Sequence, residues 1–143
     1  RIRRAARSLS MAIPPLSAEI ASELIASGAA ERIMREKCRM SEERNHIFRG
    51  IFPAHTGNTR SFCQWMPLPV GCGGANFEAQ AQHRGVRVLS SDHFAVGSEE
   101  GNSFIRLALC SPPTNEELVR GLRIVHDLME ENTIPPQTET LIL

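Results

Sequence analysis

The stretch FIRLALCSPPTNEELVRGLRIVHDLM, residues 104–129, carries most of the fold information in this chain. Its first seven residues alternate. Ile105, Leu107 and Leu109 fall on one side of an extended chain, and Phe104, Arg106, Ala108 and Cys110 on the other. This is the pattern of a strand with one face in a core and a less bulky face carrying a guanidinium. Pro112 and Pro113 stop the strand. Thr114 followed by Glu117 then reads as a capping box for a helix whose Leu118, Leu122, Val125 and Met129 share a face. A half-buried strand running directly into an amphipathic helix points to a sheet with helices packed on it.

Working outward toward the N-terminus, the same periodicities alternate between 2 and 3.6. The segment VRVLSSDHF (86–94) is extended, and VGSEEGNS (96–103) is a polar turn or loop before the next strand. ANFEAQAQHR (75–84) is a helix of two to three turns ended by Gly85, and GCGG (71–74) is a loop. SFCQWMPLP (61–69) is a short apolar strand ended by prolines, as at a sheet edge, with Trp65 as its expected anchor. PAHTGNTR (53–60) is turn-forming.

From Ala29 to about Phe52, Ile33, Met40, Ile47 and Ile51 recur at helical spacing, with REK and SEER expected on the exposed face. Ser17 is the expected N-cap of a first helix with Ile20, Leu24 and Ile25 as its stripe and Gly28 as its end. The resulting order is helix, helix, strand, helix, strand, strand, helix. It predicts an α+β fold: a small antiparallel or mixed sheet of about three strands, helices mainly on one face and the other face partly open. An open face invites a partner.

Composition bounds the function. A chain of 143 residues is enough for one domain burying about two thirds of its unfolded surface. Sixteen basic residues balance sixteen acidic ones, so the overall charge gives no field for capturing a polyanion. Cys38, Cys63, Cys72 and Cys110 form no C-x-x-C pair and have no histidine at zinc-finger spacing, and read as reduced thiols. No apolar run has the length of a membrane span, and the default expectation is a soluble cytoplasmic protein.

Arg106 is the leading site candidate. Burying an unpaired charge is expensive, so a strand arginine needs an acid such as Asp92 beside it, or else it holds its planar fork for a ligand carboxylate. The histidines at 46, 55, 83, 93 and 126 are scattered, and only His93 lies at a strand edge where a ligand could reach it. The glycines of GCGG lack the register of a phosphate cradle. No cysteine–histidine spacing singles out a nucleophile.

Taken together, AEIASELIASG, ERIMREKCRMSEERNHIF, SFCQWMPLP, HRGVRVLSSDHFAVG and the stretch quoted first resemble the C-terminal small domain of fold-type I, class I/II aminotransferase-like proteins. More narrowly, they resemble the branch shared by 2-aminoadipate-type aminotransferases and the MocR group of GntR-type transcriptional regulators. The resemblance runs from about Leu16 to Glu131. It implies that Arg106 binds the α-carboxylate of an amino acid substrate or effector. It also implies pyridoxal phosphate and a dimer in the full-length parent.

The chain departs from that pattern in three ways. Ser90 and Ser91 stand where relatives commonly have Pro-Gly, there is no tyrosine, and Lys37 is the only lysine. Lys37 sits in the charged run REKCRM, where a solvated role outweighs a Schiff base, so no cofactor is expected in this chain and no catalytic residue or metal ligand is assigned.

The expected organisation is residues 1–15 as the remnant of an interdomain or large-domain helix, 16–132 as the small domain and 133–143 as a tail. The chain reads as a fragment missing its large domain, silent as an enzyme by itself. Its ligand would be an amino acid or pyridoxal adduct, and DNA would be met only through an absent N-terminal domain. A genuine aminotransferase of the same branch is the alternative parent. A free-standing interaction domain whose basic arm RIRRAAR binds nucleic acid is a second alternative.

Overall fold

The computed structural model describes residues 14–96 and 103–133. The basic arm, most of the loop before the last strand and nearly all of the tail lie outside the described residues. Helices α1 (Pro15–Ala26) and α2 (Ala29–Ile51) are followed by strand β1 (Cys63–Pro67), helix α3 (Gly74–His83) and strand β2 (Leu89–Ser90). A 3-10 turn (Ser91–His93), strand β3 (Phe104–Ala108) and helix α4 (Asn115–Thr133) complete the order. Contacts divide the chain into two units, Arg1–Cys38 and Arg39–Leu143.

The second unit is α+β, as its periodicities predict. Its three-stranded sheet has the order β1-β3-β2 and is antiparallel throughout. Alternation along β3 buries Ile105 and Leu107, and Leu109 just beyond it, in one core with Phe48, Met66, Phe77, Leu118, Leu122, Val125 and Leu128. That core places the C-terminal part of α2 together with α3 and α4 on one face of the sheet. On α4, Leu128 takes the fully buried position and Met129 packs at its margin.

Prolines and caps set the element ends. The Thr114 hydroxyl accepts the Glu117 N–H at 3.2 Å, as the capping box predicts. The acid that answers Thr114 is Glu116, whose own backbone N–H and the Thr114 hydroxyl hold its carboxyl below the usual range. Thr114→Ala is expected to cost about 1 kcal/mol of stability, read as a lowered urea midpoint with unchanged slope. At the other end of the sheet layer, Arg84 grips Glu131 with two bonds of 3.0 and 2.6 Å, joining the end of α3 to α4.

Three local expectations are corrected. Helix α1 begins at Pro15, with Pro14 before it and no side-chain cap, so Ser17 lies inside the first turns. Proline's fixed φ and missing N–H suit a first helical position and remove the need for a serine cap. No residue of α1 is buried, so Ile20, Leu24 and Ile25 stand exposed among the described residues.

Helix α2 buries Ser41, Arg44, Asn45 and Phe48, two of them from the SEER run expected at the surface. These polar groups are buried because backbone carbonyls accept their hydrogens: Asn45 Nδ2 donates to Ser61 O and Arg44 Nη1 to Leu109 O. The extended segment 86–94 keeps only two residues of strand, because the chain turns into the 3-10 turn at Ser91.

Candidate functional site

The strand register builds the site. β3 is the central strand, and Arg106 stands opposite Trp65 on β1 and Leu89 on β2. All three therefore share the face turned away from the helical layer. The Phe94 ring covers the Arg106 guanidinium carbon at 5.1 Å, and Trp65 meets Phe94 edge-on at 5.4 Å. Trp65 is 42% exposed while its neighbours Gln64 and Met66 are buried, so the tryptophan expected as an anchor is a wall of the open face instead.

Arg106 is half-buried, and its Nε is buried with no hydrogen-bond partner. Asp92, the acid considered at the sequence level, makes no ion pair with it, and no carboxylate among the described residues does. A buried N–H without an acceptor costs about 1–3 kcal/mol. A planar cation stacked on one face and left without a carboxylate partner is suited to a planar anion at the part of its edge that stays uncovered. Arg106 also borders a cleft of about 830 Å³ between residues 84–89, β3 and α4, with Arg87 and Arg120 among its lining groups and Glu117 as its acid.

The turn that supplies Phe94 is tied at several points. Phe94 N–H donates to Ser91 O at 2.8 Å, and the Ser91 hydroxyl accepts the Phe104 N–H at 3.2 Å. Glu78 on α3 accepts the Ser90 N–H with one oxygen and meets His93 Nε2 at 3.1 Å with the other. Gly74 opens α3 so close to β2 that a Cβ there would lie 2.6 Å from Ser90 Cβ. The turn through Ser90 and Ser91 is thus held by side chains.

The remaining candidates are structural. His55 meets Gln64 Oε1 at 3.2 Å and packs edge-on against Phe48, while His126 lies against Phe52. No disulfide joins any of the four cysteines, and burial pushes the Cys72 thiol up, away from nucleophilic use. Among the described residues, no group of three His, Cys, Asp or Glu side chains could hold a metal, and no helix is long and apolar enough to cross a membrane. Lys37 is exposed on α2 in the first unit.

Two contributors escaped the sequence reading. Phe94 and Trp65 reach Arg106 through strand register and turn geometry, for which no spacing rule exists. Arg44 is the arginine that is fully buried, at 5% exposure, and its role is to hold backbone.

The chain is 30% identical over 134 residues to an uncharacterized HTH-type transcriptional regulator, YdeF, of Bacillus subtilis (strain 168). The match covers 92% of this chain and 29% of that protein, so the chain spans less than a third of the relative's length. No protein-family model and no solved structure matches it.

Proposed function

We propose that this chain is the ligand-responsive C-terminal part of an HTH-type transcriptional regulator of the MocR/GntR kind, built on an aminotransferase-like small domain. Arg106 docks the carboxylate of an amino acid or of its pyridoxal phosphate adduct. The similarity to a curated HTH-type regulator supports the regulatory side of the reading. The carboxylate side rests on one observation: on the open sheet face, Arg106 is half-buried and stacked under Phe94, with no carboxylate among the described residues paired to it. DNA contact and the rest of the ligand cleft belong to parts of the parent outside this chain; the parent is a homodimer in which this small domain closes on the ligand.

The chain's own residues do not fit a covalently held pyridoxal phosphate. The face around Arg106 has no lysine among the described residues, and Lys37 is exposed in the other unit. The ligand is therefore met through its carboxylate, not through an aldehyde carbon.

Arg106→Leu, introduced into a protein that includes the large domain, is expected to weaken amino acid or adduct binding by about 2 kcal/mol, roughly thirtyfold. Calorimetric titration of both forms measures it. Equal affinities would remove Arg106 from the site.

A further inference from the structure

We propose that Glu78 and His93 form a proton-sensitive clasp that positions Phe94 on Arg106, so that helix α3 controls how the guanidinium is presented. The inference rests on the reading of Arg106 as the docking group. Glu78 sits between the fully buried Phe77 and Ala81 on α3, and its side chain is 22% exposed. Its two oxygens are divided between the backbone of Ser90 and the imidazole of His93. Phe94 is the next residue. One carboxylate therefore fixes both ends of the three-residue turn that delivers the ring.

The other tethers of this turn do not titrate. Ser91 binds the Phe104 N–H through a hydroxyl, and the close approach of Gly74 to Ser90 is steric. The Glu78–His93 contact is the tether with an exchangeable proton. Neutral imidazole donates from Nε2 only in one tautomer, whereas the cation donates from both nitrogens and adds an attraction to the carboxylate that solvent screens in part, His93 being 54% exposed. The charged groups around His93 are Glu78 from α3, Asp92 beside it in the turn and Arg106 on β3 beyond the Phe94 ring. Gaining a proton tightens the clasp and holds the ring on the guanidinium. Losing it lets Phe94 drift and leaves the fork less ordered.

Trp65 reports this directly, being the only tryptophan of the chain and in ring contact with Phe94. The test is Trp65 emission of the 143-residue chain followed between about pH 5 and 8, the interval in which imidazoles titrate, for the unaltered chain, Glu78→Gln and His93→Gln. Far-UV circular dichroism of each confirms the helices. We expect a sigmoidal emission change in the unaltered chain and a flat profile in both variants. Glu78→Gln keeps an acceptor for Ser90 N–H, and His93→Gln leaves that bond untouched, so neither needs to unfold to silence the response. A flat profile in the unaltered chain, or a change that survives in either variant, overturns the clasp. The readout needs no ligand. A pH-dependent emission here, with equal ligand affinities for the unaltered and Arg106→Leu forms of the protein that includes the large domain, supports the clasp and overturns instead the docking role of Arg106.

Discussion

Arg44→Met is expected to destabilise the chain by about 3 kcal/mol, among the largest single-residue effects outside the apolar core. Arg44 is buried on α2 against the segment that follows β3. Its Nη1 donates to Leu109 O at 2.9 Å and to Pro112 O at 2.7 Å. No carboxylate among the described residues pairs with it, so the guanidinium is stabilised by carbonyl oxygens alone. Hydrogen bonds from a charged donor contribute about 1.5–3 kcal/mol each.

Methionine retains much of the apolar stem and removes the desolvated charge, which offsets part of the loss. What it cannot replace are the donors for two carbonyls in the turn that joins β3 to the Thr114 cap. The carbonyls stay covered, so their loss outweighs the relief of the charge. Arg44→Lys should recover only part of the stability, because the shorter stem and the compact, strongly hydrated ammonium do not put a donor nitrogen where Nη1 meets both oxygens. Urea midpoints of the two variants decide it. A methionine variant within about 0.5 kcal/mol of the unaltered chain would mean that the turn re-solvates freely.

Arg44 also marks the limit of what the chain discloses before folding. Strand β3, its buried and open faces, the proline stop and the Thr114 cap are local features, each set by residues within four positions of one another. They read correctly for that reason. The burial of SEER is set by partners 65 and 68 residues away for Arg44, and 19 away for Ser41. A polar stripe with distant carbonyl acceptors has the same sequence signature as a solvated one, so the periodic isoleucines drew the inward face about one position off.

The site divides along the same line. Arg106 stands out because a guanidinium on an apolar strand asks for an explanation at the level of a single residue. Its surroundings do not stand out. Trp65 comes opposite it only through antiparallel register, and Phe94 only through a turn whose geometry depends on Glu78 and Gly74 in a preceding helix. Hydrophobicity alone places a tryptophan inside, but the alternation of β1 commits Gln64 and Met66 to the core and leaves Trp65 outside.

Gln64 is the polar member of that inward pair, and Gln64→Leu is expected to cost about 3 kcal/mol despite the closely matched volume. Its Nε2 donates to Asn45 Oδ1 at 2.6 Å and to Asn58 O at 2.5 Å, while Oε1 faces His55 Nε2 at 3.2 Å. Asn45 in turn donates to Ser41 O and Ser61 O, both at 2.8 Å. The network therefore stitches α2, the 53–62 connection and β1 together through two buried amides. Leucine fills the space but strands Asn45 Oδ1 inside it, and a buried acceptor without a donor carries its full desolvation penalty. Asn45→Leu should be costly for the complementary reason, leaving Ser61 O and one of the two Gln64 Nε2 hydrogens unanswered. With both amides gone the orphaned side-chain groups disappear together, so the double variant should lose at least about 1 kcal/mol less than the sum of the singles. A double-mutant cycle on urea midpoints measures that coupling. Strict additivity would show two independent hydrogen-bonded residues, and α2 would then owe its docking to Phe48 and Arg44 rather than to a cooperative amide network.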